Sequence, residues 1–219
     1  EDFEAYYHGQ LMPTIAIVAV SNDQLAPLAM RLMAAGVSEI LLEKPGGVSR
    51  NEVELIAQGA DAKGAKVLLG LNRRFYSSTR KAREIIAEDG GAISCTFDFT
   101  EWMDRIADDY APSVYATWIV SNPIHVLDHA FSLCGIPREM ASFQAGGNSW
   151  HKSGTVFSGA GTTEQGVIFS YHADWDSAGR WGVEIMTQHR KLIFCPMEKL
   201  AEVKKNTVQR VDIEIEDQL

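Results

Sequence analysis

The amino-terminal part of the chain alternates between short apolar runs and segments with helical periodicity, and this alternation restricts the fold more than any other feature. The run Thr14–Val20 contains only aliphatic and β-branched side chains. Such a run is typical of a strand that is covered on both faces in a parallel sheet. Further strands are predicted over Glu39–Leu42 and Val67–Leu71, with a helix in each interval. This order of strands and helices predicts a parallel α/β sheet.

Capping signals place the ends of the two intervening helices. Asp23 is a candidate N-cap for the first helix, and Gly36 stands where a left-handed residue would end it. Ser49 and Glu52 have the spacing of a capping box, which predicts that the second helix begins next to Ser49.

Polar clusters follow each of the three predicted strands. In chain order they are Ser21 and Asn22, then Glu43, Lys44 and Pro45, then Asn72, Arg73, Arg74 and Phe75. Ligands of open parallel sheets bind in the crevice beyond the carboxyl ends of the strands, so these clusters predict a ligand site. Taken one by one, the clusters are better explained as turn residues and solvated charges.

A second polar group is predicted on a helix that starts near Pro123, a residue suited to a first helical turn. Four apolar side chains share the face expected to pack on the core, namely Ile124, Leu127, Phe131 and Cys134. His125, Asp128 and His129 fall together on a neighbouring face.

This polar face has two other interpretations. It is compatible with a partly exposed stripe, and it is similar to the H-x-x-E-H arrangement of zinc peptidases, with Asp128 in place of Glu. We predict no metal, because Asp is shorter than Glu and the sequence signals no third ligand.

In the order and spacing of these motifs, the chain resembles the Gfo/Idh/MocA oxidoreductases. The resemblance rests on Ile17–Asn22, Ala35–Gly36, Leu42–Pro45, Gly70–Phe75, and His125–Asp128 before Leu133–Gly135. It covers nearly the whole chain and implies an α/β fold. Residues 1–75 would form an incomplete Rossmann-type parallel-sheet domain, and residues 76–219 an α+β domain with a large open, mostly antiparallel sheet.

The resemblance also implies an enzyme that transfers hydride between NAD or NADP and a sugar, polyol or related hydroxy compound. By position, Lys44 and His125 would be catalytic, and Asp128, Arg74 and His129 would bind substrate. The residues assigned to the cofactor are Ser21, Asn22, Glu43, Lys44, Pro45, Asn72 and Arg73. A cis peptide bond between Lys44 and Pro45 is a further implication.

The chain departs from the family's pattern in two ways. The Gly-rich dinucleotide fingerprint does not occur in these residues, so we expect the chain to be a piece truncated at both ends, lacking at least one βαβ unit of roughly 30 residues. Ser121, four residues before His125, stands where many relatives carry an aspartate. Two alternatives therefore stay open: a glycoside hydrolase of the same fold that uses NAD, and a non-catalytic binding or regulatory relative.

The sequence pattern of the second half predicts a mostly antiparallel sheet. After a helix around Thr79–Glu88, strands are predicted over Ala92–Phe99, Val167–Trp175 and Trp181–Met186. Large open sheets often bury an apolar face between subunits, so we expect a homodimer or homotetramer formed through this sheet.

Composition limits the choice of partners and compartment. A net charge of -9 over 219 residues argues against a nucleic-acid partner, because phosphate binding needs clustered Lys and Arg. Three widely spaced cysteines suit reduced thiols, and no apolar run of about 18 residues occurs. We therefore expect a cytoplasmic protein without a membrane partner.

Overall fold

The computed structural model describes residues 3–8, 11–106 and 110–215. These residues form two compact units: the first comprises the described residues up to Leu71 together with 110–122, and the second comprises 72–106 and 123–215. The boundary expected after residue 75 differs from this division, because the segment 110–122 belongs to the first unit.

The helices are α1 (Phe3–Tyr6), α2 (Asn22–Ala34), α3 (Arg50–Lys63), α4 (Ser77–Glu88), α5 (Pro112–Ala116), α6 (Trp118–Ser121) and α7 (Ile124–Cys134), with short 3-10 helices at Asn72–Phe75 and Met103–Arg105. The strands are β1 (Ile15–Val18), β2 (Glu39–Leu42), β3 (Lys66–Leu69), β4 (Ser94–Asp98), β5 (Pro137–Ala145), β6 (Val156–Thr163), β7 (Ile168–Asp174), β8 (Gly182–Met186), β9 (Arg190–Phe194), β10 (Ala201–Lys204) and β11 (Arg210–Asp212). Within the described residues, no helix is long and apolar enough to cross a membrane.

The first unit contains the parallel sheet that the sequence predicts, in the order β1-β2-β3. One face of this sheet packs against α2 and α3. The core between them includes Val18, Leu25, Ala29, Leu32, Ile40, Leu42 and Ile56. The segment 110–122 joins this unit, and its helix α5 contacts α2.

The prediction that β1 is covered on both faces is wrong. Ile17 is 75% exposed, and Ile15, Leu41 and Leu68 are exposed beside it. The alternate residues, such as Val18, are buried against the helices. An unbroken apolar run conceals this alternation, because hydrophobicity alone does not report which side of a strand is covered.

The end of α2 is as predicted, but its start is not. Ser21, rather than Asp23, is the N-cap, because Ser21 has non-helical dihedral angles and its carbonyl oxygen accepts from the Gln24 N–H. At the other end, Gly36 has a φ of 95°, and its N–H donates to the carbonyl oxygen of Met33.

The Ser49 half of the predicted capping box of α3 is confirmed, whereas the Glu52 side chain binds a different backbone N–H from the one expected. The Ser49 hydroxyl accepts from the Glu52 N–H at 3.2 Å. The Glu52 carboxylate accepts from the N–H of Val48 at 2.6 Å, one residue before the position that a capping box requires. Both acceptors satisfy backbone donors where the helix begins.

The second unit contains an eight-stranded sheet in the order β11-β10-β9-β8-β4-β7-β6-β5. The β4–β7 pair is parallel and the other pairs are antiparallel, which confirms the predicted large, mostly antiparallel sheet. Helix α7 covers one face. On this face, the Phe131 ring lies edge-on to Phe97 and Phe169, with centroids 5.5 and 5.1 Å apart.

Helix α7 is rotated relative to the prediction. Its buried residues are Val126, His129, Ala130 and Cys134. The predicted core residues Ile124, Leu127 and Phe131 are only partly buried. The helix contacts the 3-10 helix Asn72–Phe75 and the Thr79 side chain of α4 as well as the sheet, so its buried surface extends around to His129.

Candidate active site

Lys44 lies directly after β2, at the carboxyl end of the parallel sheet. The Lys44–Pro45 bond is cis, as the resemblance implied. The Lys44 Nζ donates a hydrogen bond of 2.8 Å to the main-chain carbonyl oxygen of Ser121. Ser121, in the segment 110–122, thereby fixes the position of the Lys44 ammonium group.

Asn22 approaches the same acceptor from the end of β1. Its Nδ2 lies 3.5 Å from the Ser121 carbonyl oxygen, at the limit of a hydrogen bond. Two of the three predicted polar clusters therefore meet at one main-chain oxygen. Sequence analysis singled out Ser121 for its side chain, whereas this contact uses its backbone.

The Ser121 side chain is directed into its own segment. Its hydroxyl donates to the carbonyl oxygen of Val114 at 3.3 Å and lies 3.3 Å from the Thr117 hydroxyl. Ser121 and Val114 are both buried. These contacts fix the turn that presents the Ser121 carbonyl to Lys44.

The remaining strand-end residues of the first unit have structural contacts. Ser21 caps α2, and the Glu43 carboxylate lies against Gly70, where an added Cβ would be 3.2 Å from Glu43 Oε2. Their predicted roles in cofactor binding stay predictions.

Arg74 and Asp128 form an ion pair in the second unit. Arg74 Nε lies 2.8 and 3.0 Å from the two carboxylate oxygens, and its Nη2 also contacts Oδ1. The Asp128 side chain is only 8% exposed, while Arg74 is half exposed. Hydrogen bonding to Asp128 raises the pKa of Arg74. Two of the three side chains that the resemblance assigned to the substrate are thus brought together.

His125 lies in the first turn of α7, beside an indole ring. The centroids of the His125 and Trp181 rings are 6.1 Å apart. Trp181 is buried and provides an apolar wall next to the imidazole.

His129 is a core residue, and its predicted place beside His125 and Asp128 on an accessible polar face is corrected. It is completely buried, and its ring lies edge-on to Phe194 with centroids 4.5 Å apart. The Thr79 hydroxyl donates to the carbonyl oxygen of Arg73 at 2.7 Å, so it accepts from His129 Nε2–H at 3.0 Å. Burial, with the charges of Arg73 and Arg83, lowers the pKa of His129 to about 3.

We expect His129→Gln to flatten the pH dependence of stability. The folded protein keeps this imidazole neutral down to a pKa of about 3, while the unfolded chain protonates it below its ordinary 6.5. Its contribution is therefore complete above pH 6.5 and decreases as the pH falls, by about 2 kcal/mol between pH 7.5 and pH 5. Urea unfolding at both pH values measures the difference. Parallel curves for the wild type and His129→Gln would contradict the prediction, and the exposed His172→Gln serves as the control.

In this chain a parallel α/β unit precedes an α+β unit with a large sheet, and the fold is similar to that of solved structures described as NAD-binding or NADPH-dependent oxidoreductases. The chain is similar to a Desulfitobacterium hafniense protein provisionally assigned as an NADPH-dependent oxidoreductase (TM-score 0.77, 19% identity, 92% of this chain and 65% of that chain). It is also similar to an NAD-binding oxidoreductase from Klebsiella pneumoniae (TM-score 0.74, 18% identity, 97% and 62%). A third similar structure is the UDP-N-acetylglucosamine 3-dehydrogenase of Acidithiobacillus ferrooxidans (TM-score 0.72, 17% identity, 94% and 65%).

No protein-family model matches the chain, and no curated protein matches it either. The chain spans less than two thirds of the length of the three similar structures. At these identities the likeness shows the fold.

Proposed function

We propose that the chain belongs to the Gfo/Idh/MocA oxidoreductases and that its full-length protein transfers hydride between NAD or NADP and a sugar, polyol or related hydroxy compound. The observation that carries this proposal is Lys44, which precedes a cis-proline at the end of β2 and donates to the Ser121 carbonyl. Similar structures add support. One is a levoglucosan dehydrogenase in complex with NADH and levoglucosan, and another is an Agrobacterium radiobacter oxidoreductase in complex with NAD+, L-tartaric acid and magnesium.

The residues at the ends of β1 and β2 fit the nicotinamide end of such a cofactor. Asn22 and Lys44 present amide and ammonium donors around one main-chain oxygen, a mixture that suits a carboxamide and a reacting hydroxyl. Ser21, Glu43 and Pro45 would line the same end of the sheet. When bound, the nicotinamide ring supplies the acceptor or donor of the hydride.

Lys44 would act on the substrate oxygen. The Ser121 carbonyl oxygen accepts from Nζ and fixes the position of the ammonium group. A fixed cation stabilises the negative charge that develops on a hydroxyl oxygen as its proton leaves.

His125 would exchange the proton. Imidazole changes its charge near neutral pH, which suits a general acid and base. The apolar wall of Trp181 excludes water from one side of the ring. Asp128, on the next turn of α7, and its ion-pair partner Arg74 would offer hydrogen bonds to substrate hydroxyls.

The expected homodimer or homotetramer stays a prediction. It is supported by exposed apolar residues on the sheet face opposite α7, including Phe143 and Ile168. A depression of about 500 Å³ lies on that face and is lined by residues such as Ser158, Ser170 and His172. His125 is not part of that lining, whereas Arg180 is.

We expect the full-length protein to bind NADH or NADPH with a Kd in the micromolar range and to reduce NAD or NADP with one or more sugars or polyols. Fluorescence titration measures the binding, and formation of reduced cofactor measures the turnover. Failure to bind either cofactor would refute the proposed function. Release of sugar from a glycoside without net formation of NADH would instead indicate the glycoside hydrolase.

A further inference from the structure

Three arginine and two tryptophan side chains of the second unit stack on one another. The guanidinium groups of Arg73 and Arg180 lie over the Trp181 ring, 5.5 and 4.5 Å from a ring centroid. Those of Arg180 and Arg105 lie over the Trp102 ring at 5.1 and 5.4 Å. These distances are within the range of cation–π contacts. We call these five residues the arginine–tryptophan stack.

The stack reaches the proposed acid and base. Trp181, which lies 6.1 Å from His125 between ring centroids, is the same ring that carries Arg73 and Arg180. The two guanidinium groups and the imidazole are therefore neighbours of the same indole ring.

Arg180 is oriented by a buried carboxylate while much of its surface is accessible. Its Nη1 donates to Glu101 Oε2 at 3.0 Å, and the Glu101 side chain is only 3% exposed, whereas Arg180 is 44% exposed. Among residues 72–106 and 123–215, Glu101 is the residue that accepts a hydrogen bond from the Arg180 guanidinium. A guanidinium has five N–H donors in a fixed plane, so several remain for a ligand.

Arg73 has a buried donor that needs an acceptor. Its side chain is 16% exposed, and its buried Nε has no hydrogen-bond partner within the described part of the chain. Its Nη2 is 3.7 Å from a carboxylate oxygen of the more exposed Glu198. A buried N–H without a partner is unfavourable, and an incoming anion would satisfy it.

Two of the three arginines of the stack lie beside a carboxylate. Within the described residues, Arg180 Nη1 lies 3.0 Å from Glu101 Oε2, and Arg73 Nη2 lies 3.7 Å from Glu198 Oε1. A purely structural stack would be expected to have its charges balanced and its donors satisfied. The accessible Arg180 and the unsatisfied Arg73 Nε instead favour a ligand.

We propose that the arginine–tryptophan stack binds the carboxylate of the substrate, which is then a polyhydroxy acid of the uronic or aldonic acid class. This inference rests on the proposed function, because it places the reacting hydroxyl of that acid at His125. The planar guanidinium matches a carboxylate through paired hydrogen bonds, and stacking on Trp181 and Trp102 fixes that plane before binding. The resemblance assigned Arg73 to the cofactor, whereas in this proposal Arg73 binds the substrate.

The experiment compares D-glucuronate with D-glucose, and D-galacturonate with D-galactose, binding to the full-length protein saturated with NADH. Tryptophan fluorescence follows binding, because the stack contains Trp102 and Trp181. We expect each uronate to bind at least tenfold more tightly than its neutral sugar. Arg180→Met should weaken uronate binding by about 10- to 100-fold and change neutral-sugar binding less than threefold. Arg180→Lys should give an intermediate loss, because it keeps the charge without the planar fork.

Arg138→Met is the matched control, since Arg138 is an exposed arginine of the same unit that lies on the edge strand β5. It should leave both affinities unchanged. Equal binding of the uronate and its neutral sugar, a preference that survives in Arg180→Met, or no binding of any of the four compounds would overturn the proposal. Binding of glucose 6-phosphate without binding of the uronates would overturn it too. Failure of the proposed function is distinguishable, because it appears as loss of NADH binding before any sugar is added.

Discussion

Lys44→Met in the full-length protein is expected to lower kcat by about 100- to 10,000-fold while changing the Kd for NADH less than threefold. Methionine keeps the length and apolar stem of the side chain but removes the ammonium that donates to the Ser121 carbonyl. The loss should appear in kcat rather than in cofactor affinity, because the ammonium acts on charge that develops during the reaction. Steady-state kinetics and a fluorescence titration measure the two quantities.

Lys66→Met provides the comparison for this result. Lys66 is exposed and begins β3, at the end of the same sheet opposite to Lys44. It should retain full activity. Full activity in Lys44→Met as well would show that Lys44 is not catalytic.

His125→Asn is expected to lower kcat/KM by a similar factor and to remove the acidic limb of its pH profile. An imidazolium cannot accept the proton of a substrate hydroxyl, so oxidation by the wild type should slow as the pH falls. Asparagine cannot titrate in this range, and its residual rate should not show that decline. The pH dependence of kcat/KM, measured for the wild type and for His125→Asn with the same substrate, tests this prediction.

His189→Asn is the control for His125. His189 is exposed in the turn between β8 and β9, and its substitution should leave the profile unchanged. A His125→Asn protein that loses activity but keeps the acidic limb would show that another group titrates. His125 would then be a binding residue.

Much of the fold could be predicted because its signals are local. The apolar runs give the strands β1, β2 and β3 within two residues, and Gly36 and Ser49 mark helix ends through backbone preferences that belong to single residues. Burial alternates along β7, where Phe169 and Ala173 are buried and Ser170 and His172 are exposed. These features need no knowledge of distant parts of the chain.

The errors concern contacts that depend on distant residues. Nothing local to Ile17 shows that its side of the sheet is uncovered, and nothing local to His129 reveals the Thr79 hydroxyl that accepts from it. The rotation of α7 depends on α4 as well as the sheet. Periodicity finds an amphipathic helix, but it cannot decide between polar residues that face solvent and polar residues that have a buried partner.

The sequence named candidate side chains for the site but gave no signal for the main-chain contact between Lys44 and Ser121. Lys44, His125, Asp128 and Arg74 were identified from motif order, and the structure pairs Arg74 with Asp128. Every residue except proline offers the same carbonyl and N–H, so no sequence signal distinguishes Ser121 as the acceptor for Lys44. The arginine–tryptophan stack escaped notice for a different reason: its members are scattered between residues 73 and 181.

The first unit takes up the segment 110–122 after the chain has already entered the second unit, so no single cut separates the two. In a chimaera that takes only the residues up to Leu71 from a second homologue, Lys44 would come from that homologue and the Ser121 carbonyl from the original protein. Exchange of both stretches keeps Lys44 and the Ser121 carbonyl from one parent. Recombination between homologues should therefore succeed when crossovers bracket 110–122 as well as follow Leu71, and gene shuffling with one junction should yield folded but impaired proteins.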